Sequence, residues 1–187
     1  METIYSRFEI KKSKIKVAND TKVYSLNCVG KLDTELNMKT ITKSCAGVVK
    51  KKRNRGAGDG TATLSLHIPY ELYRKIYGMD VEGLIDGVSA YGSASVHKEF
   101  SFTGVVLDED GVELLIALPI CMASSGPKQS IENGAEEVVE VEIEMDLMPD
   151  EFDFCEYEIP SAELPESITE EKWLTEFTPS MLQAPKA

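Results

Sequence analysis

The sequence predicts a β-rich α+β fold: a β-sandwich or rolled antiparallel sheet with one flanking helix, at about residues 69–78, and an extended C-terminal arm. Three observations lead there. Apolar and polar residues alternate with period two through most of the chain, as half-buried strands require. Only "PYELYRKIYGM" carries a strong helical stripe. After Pro149 the alternation gives way to acids, prolines and serines. The expected division is a β-domain over residues 1–148 and an arm or inter-subunit segment over 149–187.

The opening segment "SRFEIKKSKIKVANDTKVYSLNCVG" holds short alternations, Phe8 with Ile10, Ile15 with Val17, then Val23 with Ser25, broken by "NDT". It reads as strands joined by turns. "VKKKRNR" and "RGAGDGTAT" follow, a basic cluster running into Gly56, Gly58 and Gly60, and together predict a long basic hairpin loop over residues 50–60. In "GTATLSLHIP" the residues Ala62, Leu64, Leu66 and Ile68 face one way, and Thr61, Thr63, Ser65 and His67 the other. That is a half-buried strand. In the helix, Pro69 suits the first position, Leu72, Tyr73, Ile76 and Tyr77 form the stripe, and Gly78 is the stop.

"HKEFSFTGVVLDEDGVELLIALPIC" predicts two strands joined at Asp110-Gly111, a dipeptide suited to the positive φ of a tight turn. The second strand has only Glu113 as a polar break, so it should be covered on both faces. "ASSGPKQSIENGAEE" is a loop by composition. In "EEVVEVEIEMDLMPD", Val139, Val141, Ile143, Met145 and Leu147 alternate with Glu140, Glu142, Glu144 and Asp146, a strand with an unmixed acidic face. Late in the arm, Trp173, Leu174 and Phe177 form one short helical face, capped by Ser167 or Thr169.

The 187 residues, 42% hydrophobic and 28% charged, suffice for one domain with a real core, or a domain plus an arm. Net charge is −12, unevenly spread: residues 1–60 hold fourteen Lys and Arg against six Asp and Glu, whereas residues 61–187 hold six against 26. Halves of opposite sign point to a charged partner, or to the basic part of one copy meeting the acidic part of another.

No nucleophile with a base, metal cluster or phosphate cradle stands out. The glycines at 56, 58 and 60 lack the spacing of a nucleotide-binding loop, and His67 and His97 stand in no metal-binding motif. Cys28, Cys45, Cys121 and Cys155 are far apart and read as buried or half-buried free thiols. Neither a signal peptide nor a run of about 20 apolar residues appears, which makes the cytoplasm the expected compartment. Lys50, Lys51, Lys52, Arg53 and Arg55 carry no interleaved aromatics, so an acidic protein surface suits them better than nucleic acid. The parallel carboxylates of the acidic strand do not converge as calcium ligands must.

One stretch carries a resemblance. "IALPICMASSGPKQSIENGAEEVVEVEIEMDLMPDE", Ile116–Glu151, resembles the major tail proteins, or tail tube proteins, of long non-contractile-tailed bacteriophages and related phage-like particles. It has their strand ending in Pro119, a Ser125-Gly126-Pro127 loop, Ile131–Ala135 as "IENGA", the acidic strand, and Met148–Glu151 as "MPDE". "EKWLTEFTPSML", Glu171–Leu182, is similar to the family's C-terminal end, and "TATLSLHIPYELYRKIYGM" matches more loosely. The resemblance implies a tail-tube-protein-like fold and a structural virion protein that is not an enzyme and needs no cofactor. Its copies would form hexameric rings stacked into a tube through which DNA passes to the host without specific binding. It implies partners in other tail proteins, such as tape measure and tail terminator, and none in membranes. The locations implied are the virion tail, and the host cytoplasm during assembly.

On that reading Glu140, Glu142, Glu144 and Asp146 are expected to face the lumen, where a like-charged wall lets DNA slide. Lys50, Lys51, Lys52, Arg53, Arg55, Trp173, Leu174 and Phe177 are the expected contacts between rings. The nearest alternative is a tail-completion or head–tail joining protein. A β-rich binding module would need exposed aromatics on a strand face, and a hydrolase would need a nucleophile and base.

Overall fold

Two strict alternations, at Gly60–Leu66 and Val141–Leu147, lie side by side in the sheet and set its geometry. The structure, a computed structural model, describes residues 6–134 and 138–184. Its strands are β1 (Glu9–Val17), β2 (Val23–Leu26), β3 (Val29–Cys45), β4 (Val48–Leu66), β5 (Phe100–Leu107), β6 (Glu113–Ala123), β7 (Val141–Leu147) and β8 (Tyr157–Pro160). The helices are α1 (Tyr70–Ile76) and α2 (Glu170–Glu176). All eight strands join one antiparallel sheet in the order β2-β1-β5-β6-β7-β4-β3. β8 pairs with the first half of β6 and β7 with the second. The fold is therefore β-rich α+β, as predicted, with α1 at the expected flanking helix and α2 at the short helical face expected in the arm.

The sheet rolls, because residues from both of its ends share one core. Tyr24 and Leu26 of β2 cluster with Leu64 and Leu66 of β4, Ile143, Met145 and Leu147 of β7, and Phe100 and Phe102 of β5. The stripe Leu72, Tyr73, Ile76 and Tyr77 on and just after α1 completes it. Each such side chain withdrawn from water contributes about 1.5–3 kcal/mol. Gly78 ends the helix at φ 60°, and a Cβ there would collide with the Val96 carbonyl. The β5–β6 connection falls where expected but is longer than a tight two-residue turn: it spans Asp108–Val112, with Gly111 at φ 80° and the Asp108 carboxylate accepting from the Asp110 and Val112 amides.

β6 is covered on both faces, as its composition predicted. Ile116 and Leu118 enter the first core, whereas Leu115 and Ala117 enter a second one on the outer face of the sheet, with Val105, Ile168, Trp173 and Leu174. The chain reaches that face by a tight turn after β7. The buried Asp150 accepts from the amides of Phe152 and Phe154 (2.8 and 3.1 Å) and from the Tyr157 hydroxyl (2.5 Å).

The amino-terminal strands keep the expected parity at Ile15 and Val17 and depart from it at Phe8 and in β2. Lys12, at φ 50°, sits in a bulge that shifts the β1–β5 register between Lys11 and Lys14, so Ser13, Ile15 and Val17 are buried while Phe8 is exposed. On β2 the buried pair is Tyr24 and Leu26, not Val23 and Ser25. Cys121 and Cys155 are buried, but Cys28 and Cys45 are exposed.

A charged knot ties β2 to α1. Glu71 receives Lys22 Nζ at 2.5 Å and the Tyr24 hydroxyl at 2.8 Å, while Lys75 Nζ bridges Asp20 at 2.7 Å and Glu71 at 3.2 Å. Lys22, then Tyr24 and Lys75, hold the Glu71 carboxyl down to about 2, from an ordinary 4.5. A lowered carboxylate stabilises the fold above its unfolded value and loses that contribution as pH falls toward the folded one. The stability advantage of wild type over Glu71→Gln is thus expected to be full at pH 6 and to shrink between pH 4.5 and 2. Urea unfolding of both proteins across that window measures it, and a constant difference would refute the coupling.

Candidate assembly surfaces

The β3–β4 hairpin is far longer than the sequence suggested. Its turn is Ala46-Gly47, both at positive φ (50° and 77°), the two-residue geometry that matches strand twist. Residues 50–60, expected as a loop, lie within β4. The glycines mark where the hairpin leaves the body. Leu36 pairs with Gly60 and Met38 with Gly56, so residues 57–59 of β4 oppose Asn37 alone. A Cβ at Gly60 would meet the Glu35 carbonyl at 2.5 Å, and Gly58 adopts φ 88° against the Asp153 carbonyl. Beyond this bulge the two strands form a ribbon about 25–30 Å long. Both of its faces are exposed, and among the described residues it pairs with no other strand.

Paired residues share a face, so the register sorts the ribbon's side chains. Lys39 opposite Arg55, Ile41 opposite Arg53 and Lys43 opposite Lys51 share one face. Met38, Thr40 and Thr42 share the other with Gly56, Asn54 and Lys52, and Thr40 donates to Asn54 Oδ1 at 3.0 Å. Lys50 falls at the register shift near the turn. Residues 36–58 contain seven Lys and Arg and no Asp or Glu. Among the described residues these cations form no ion pairs within the chain.

The acidic strand alternates as expected, over a shorter span. β7 begins at Val141, and Glu136 and Glu137 lie outside the described residues. Ile143, Met145 and Leu147 are buried, so Glu142, Glu144 and Asp146 face away from the core. Glu140 precedes the strand, its carboxylate over Gly30, where a methyl group would collide with it. The row continues sideways across two strands: Glu142 beside Ser65, Glu144 beside Thr63 and Asp146 beside Thr61, then Thr63 beside Asp33 and Thr61 beside Glu35. Lys128, from the loop before β7, binds Glu144 at 2.5 Å and lies 3.8 Å from Glu142. Its ammonium, with Ser125, lowers the Glu144 carboxyl below its usual range.

Asp33 and Glu35 were missed by the sequence reading. The signal for them was the odd parity of "KLDTELNMKTITK", which carries Lys31, Asp33, Glu35, Lys39 and Lys43 in a line. One continuous face of the hairpin thus runs from acidic at its base to basic in its free half.

Trp173 and Leu174, expected as contacts between rings, are buried in their own chain. Trp173 Nε1 donates to the Ile116 carbonyl at 3.1 Å, and the Thr103 hydroxyl donates to the Leu174 carbonyl at 3.0 Å. Phe177 packs edge-on against Trp173 at 4.9 Å and is half-buried. Thr169 is the N-cap, accepting from the Lys172 amide. The expected helical face is therefore present, and the sheet it covers is its own.

His67 lies just past β4 and is exposed, its amide donating to the Cys28 carbonyl. His97 is structural: its Nδ1 donates to the Ala123 carbonyl (2.8 Å), which leaves Nε2 to accept from the Tyr91 hydroxyl (2.9 Å). Among the described residues no group of three or more His, Cys, Asp and Glu is placed to hold a metal ion, and no helix is long and apolar enough to cross a membrane.

No protein-family model and no curated protein matches the chain. Solved structures do match. A chain of the structure of the anti-feeding prophage cap, the tube-terminating cap, aligns over 85% of this chain and 96% of its own, at 11% identity and a TM-score of 0.42. A chain of the 6-fold symmetrised anti-feeding prophage baseplate aligns over 78% and 92%, at 9% identity and a TM-score of 0.40. At these values the likeness decides neither family nor function.

Proposed function

We propose that this chain is a structural subunit of a phage tail or phage tail-like particle, whose copies form hexameric rings stacked into the tail tube. The observation that carries the reading is the ribbon. A two-stranded hairpin is at best marginally stable in water, and this one exposes two unpaired edges and the apolar side chains Met38, Ile41, Val48 and Val49. Exposed edges template pairing with another chain unless something covers them. A neighbouring copy covers them in a ring, and closing the ring removes the edges altogether. The order and spacing of motifs in Ile116–Glu151, similar to tail tube proteins, supports the same reading.

In the tube, Glu142, Glu144 and Asp146, joined by Asp33 and Glu35, form the acidic part of the lumen wall past which DNA slides. Lys50, Lys51, Lys52, Arg53 and Arg55 lie on the ribbon that reaches the neighbours. Tape measure and tail terminator proteins are the expected partners, the virion tail the expected location, and no catalysis is involved.

The test is negative-stain electron microscopy and sedimentation velocity on the purified full-length protein at rising concentration. Sixfold rings and tubes are expected. Rings that never stack would favour a tail-completion role, and a monomer at every concentration would remove the proposal.

A further inference from the structure

The hairpin face that is acidic at its base and basic in its free half has the order a two-fold contact needs, since each end then meets its complement in the other copy. We propose that two copies pair through this face, each ribbon antiparallel over the base of the other, as a soluble dimer held outside the tube. The dimer goes beyond the tube reading and does not depend on it. One face cannot lie against a second ribbon and line a lumen at once.

The register fixes the contacts. A two-fold axis between the faces, running across the strands, reverses strand direction but keeps strand order, so β3 lies over β3 and β4 over β4. With Asn37 near the axis, Lys39 meets Glu35 of the second copy, while Lys43 falls over Lys31, whose ammonium is already held by the neighbouring Asp33 of its own chain. Arg55 and Arg53, level with Lys39 and Ile41, then lie over Thr61 and Thr63 of the second copy. Those threonines form a neutral column flanked on one side by Glu35 and Asp33 and on the other by Asp146 and Glu144. Neighbouring strands are about 4.8 Å apart, so a guanidinium above the column reaches carboxylates on both sides. Ile41, half exposed on the free chain, is covered in the same contact.

A second copy suits the face better than nucleic acid. A duplex laid along the hairpin would gain the ribbon cations but meet Asp33, Glu35, Glu144 and Asp146 on the same surface, in a chain of net charge −12. The face is about 40 Å by 10 Å, roughly 400 Å² on each copy, against the about 800 Å² per partner of a standard-size interface. The dimer is therefore weak, and, its pairs being exposed, salt dissolves it.

Sedimentation velocity of the full-length protein at 50 and 500 mM NaCl tests this, with two charge-reversal variants: Lys51→Glu/Arg53→Glu/Arg55→Glu, and Asp33→Lys/Glu35→Lys/Asp146→Lys. Wild type is expected to dimerise at low salt, with a dissociation constant at least tenfold weaker at high salt. Each variant alone is expected to be monomeric, and their equimolar mixture to dimerise again, because both halves of the contact are then complementary. If a variant fails to fold, the wild-type salt series still decides. A wild type monomeric at every salt, or a dimer indifferent to salt and to the variants, overturns the proposal. So does binding of a fluorescent 20-base-pair duplex by wild type and not by the first variant, without self-association. Tubes assembling from wild type with no dimer overturn the dimer and leave the tube standing; a dimer without tubes does the reverse.

Discussion

Trp173→Ala is expected to destabilise the monomer by about 3–5 kcal/mol, the range for truncating a fully buried aromatic side chain. The indole fills the gap between α2 and the outer face of the sheet, against Val105, Leu115 and Ala117. Its removal leaves a cavity, strips the Ile116 carbonyl of the indole donor and deprives Phe177 of its edge-on neighbour. The contact between the Thr103 hydroxyl and the Leu174 carbonyl depends on the same docking and should loosen with it. Urea unfolding followed by near-UV circular dichroism measures the loss. Any decline in assembly should then track the unfolded fraction. A variant as stable as wild type yet unable to assemble would return Trp173 to the contacts between subunits.

The second large effect is the opposite in kind. Replacing Lys39–Arg55 by Asn-Gly, a dipeptide that closes a two-residue hairpin, is expected to abolish assembly and leave the domain intact. Every residue removed is exposed and none belongs to either core, so the melting temperature should move by no more than a few degrees. Electron microscopy and thermal unfolding on the same preparation separate the two properties. Tubes formed by the shortened protein would show that the ribbon is dispensable for assembly.

How well each segment could be read from sequence follows from what buries it. Ala62, Leu64 and Leu66, or Ile143, Met145 and Leu147, have one wet and one dry face, and that asymmetry is written as period two. The stripe of α1 is written the same way at helical period. The ribbon has two wet faces, so "KTITKSCAGVVKKKRNR" carries no apolar parity, and its charges read as a loop. The Lys12 bulge inverts the parity of β1 without changing its composition. For the helix at Trp173, sequence disclosed an apolar face but not whose sheet it covers, since an arm of that length reaches its own domain or a neighbour's. The acidic row was half legible: β7 displayed its carboxylates, but Asp33 and Glu35 come beside them only through a pairing between segments about a hundred residues apart.

Cys45, the last residue of β3, stands exposed beside the Ala46-Gly47 turn, while Cys121 and Cys155 are buried. With Cys28 changed to Ser, a thiol-selective probe would address the far end of the ribbon and little else. A nitroxide there turns the hairpin into a ruler: antiparallel ribbons hold their tips far apart, whereas ribbons repeated around a ring set the tips on a circle whose radius the same spectrum reports.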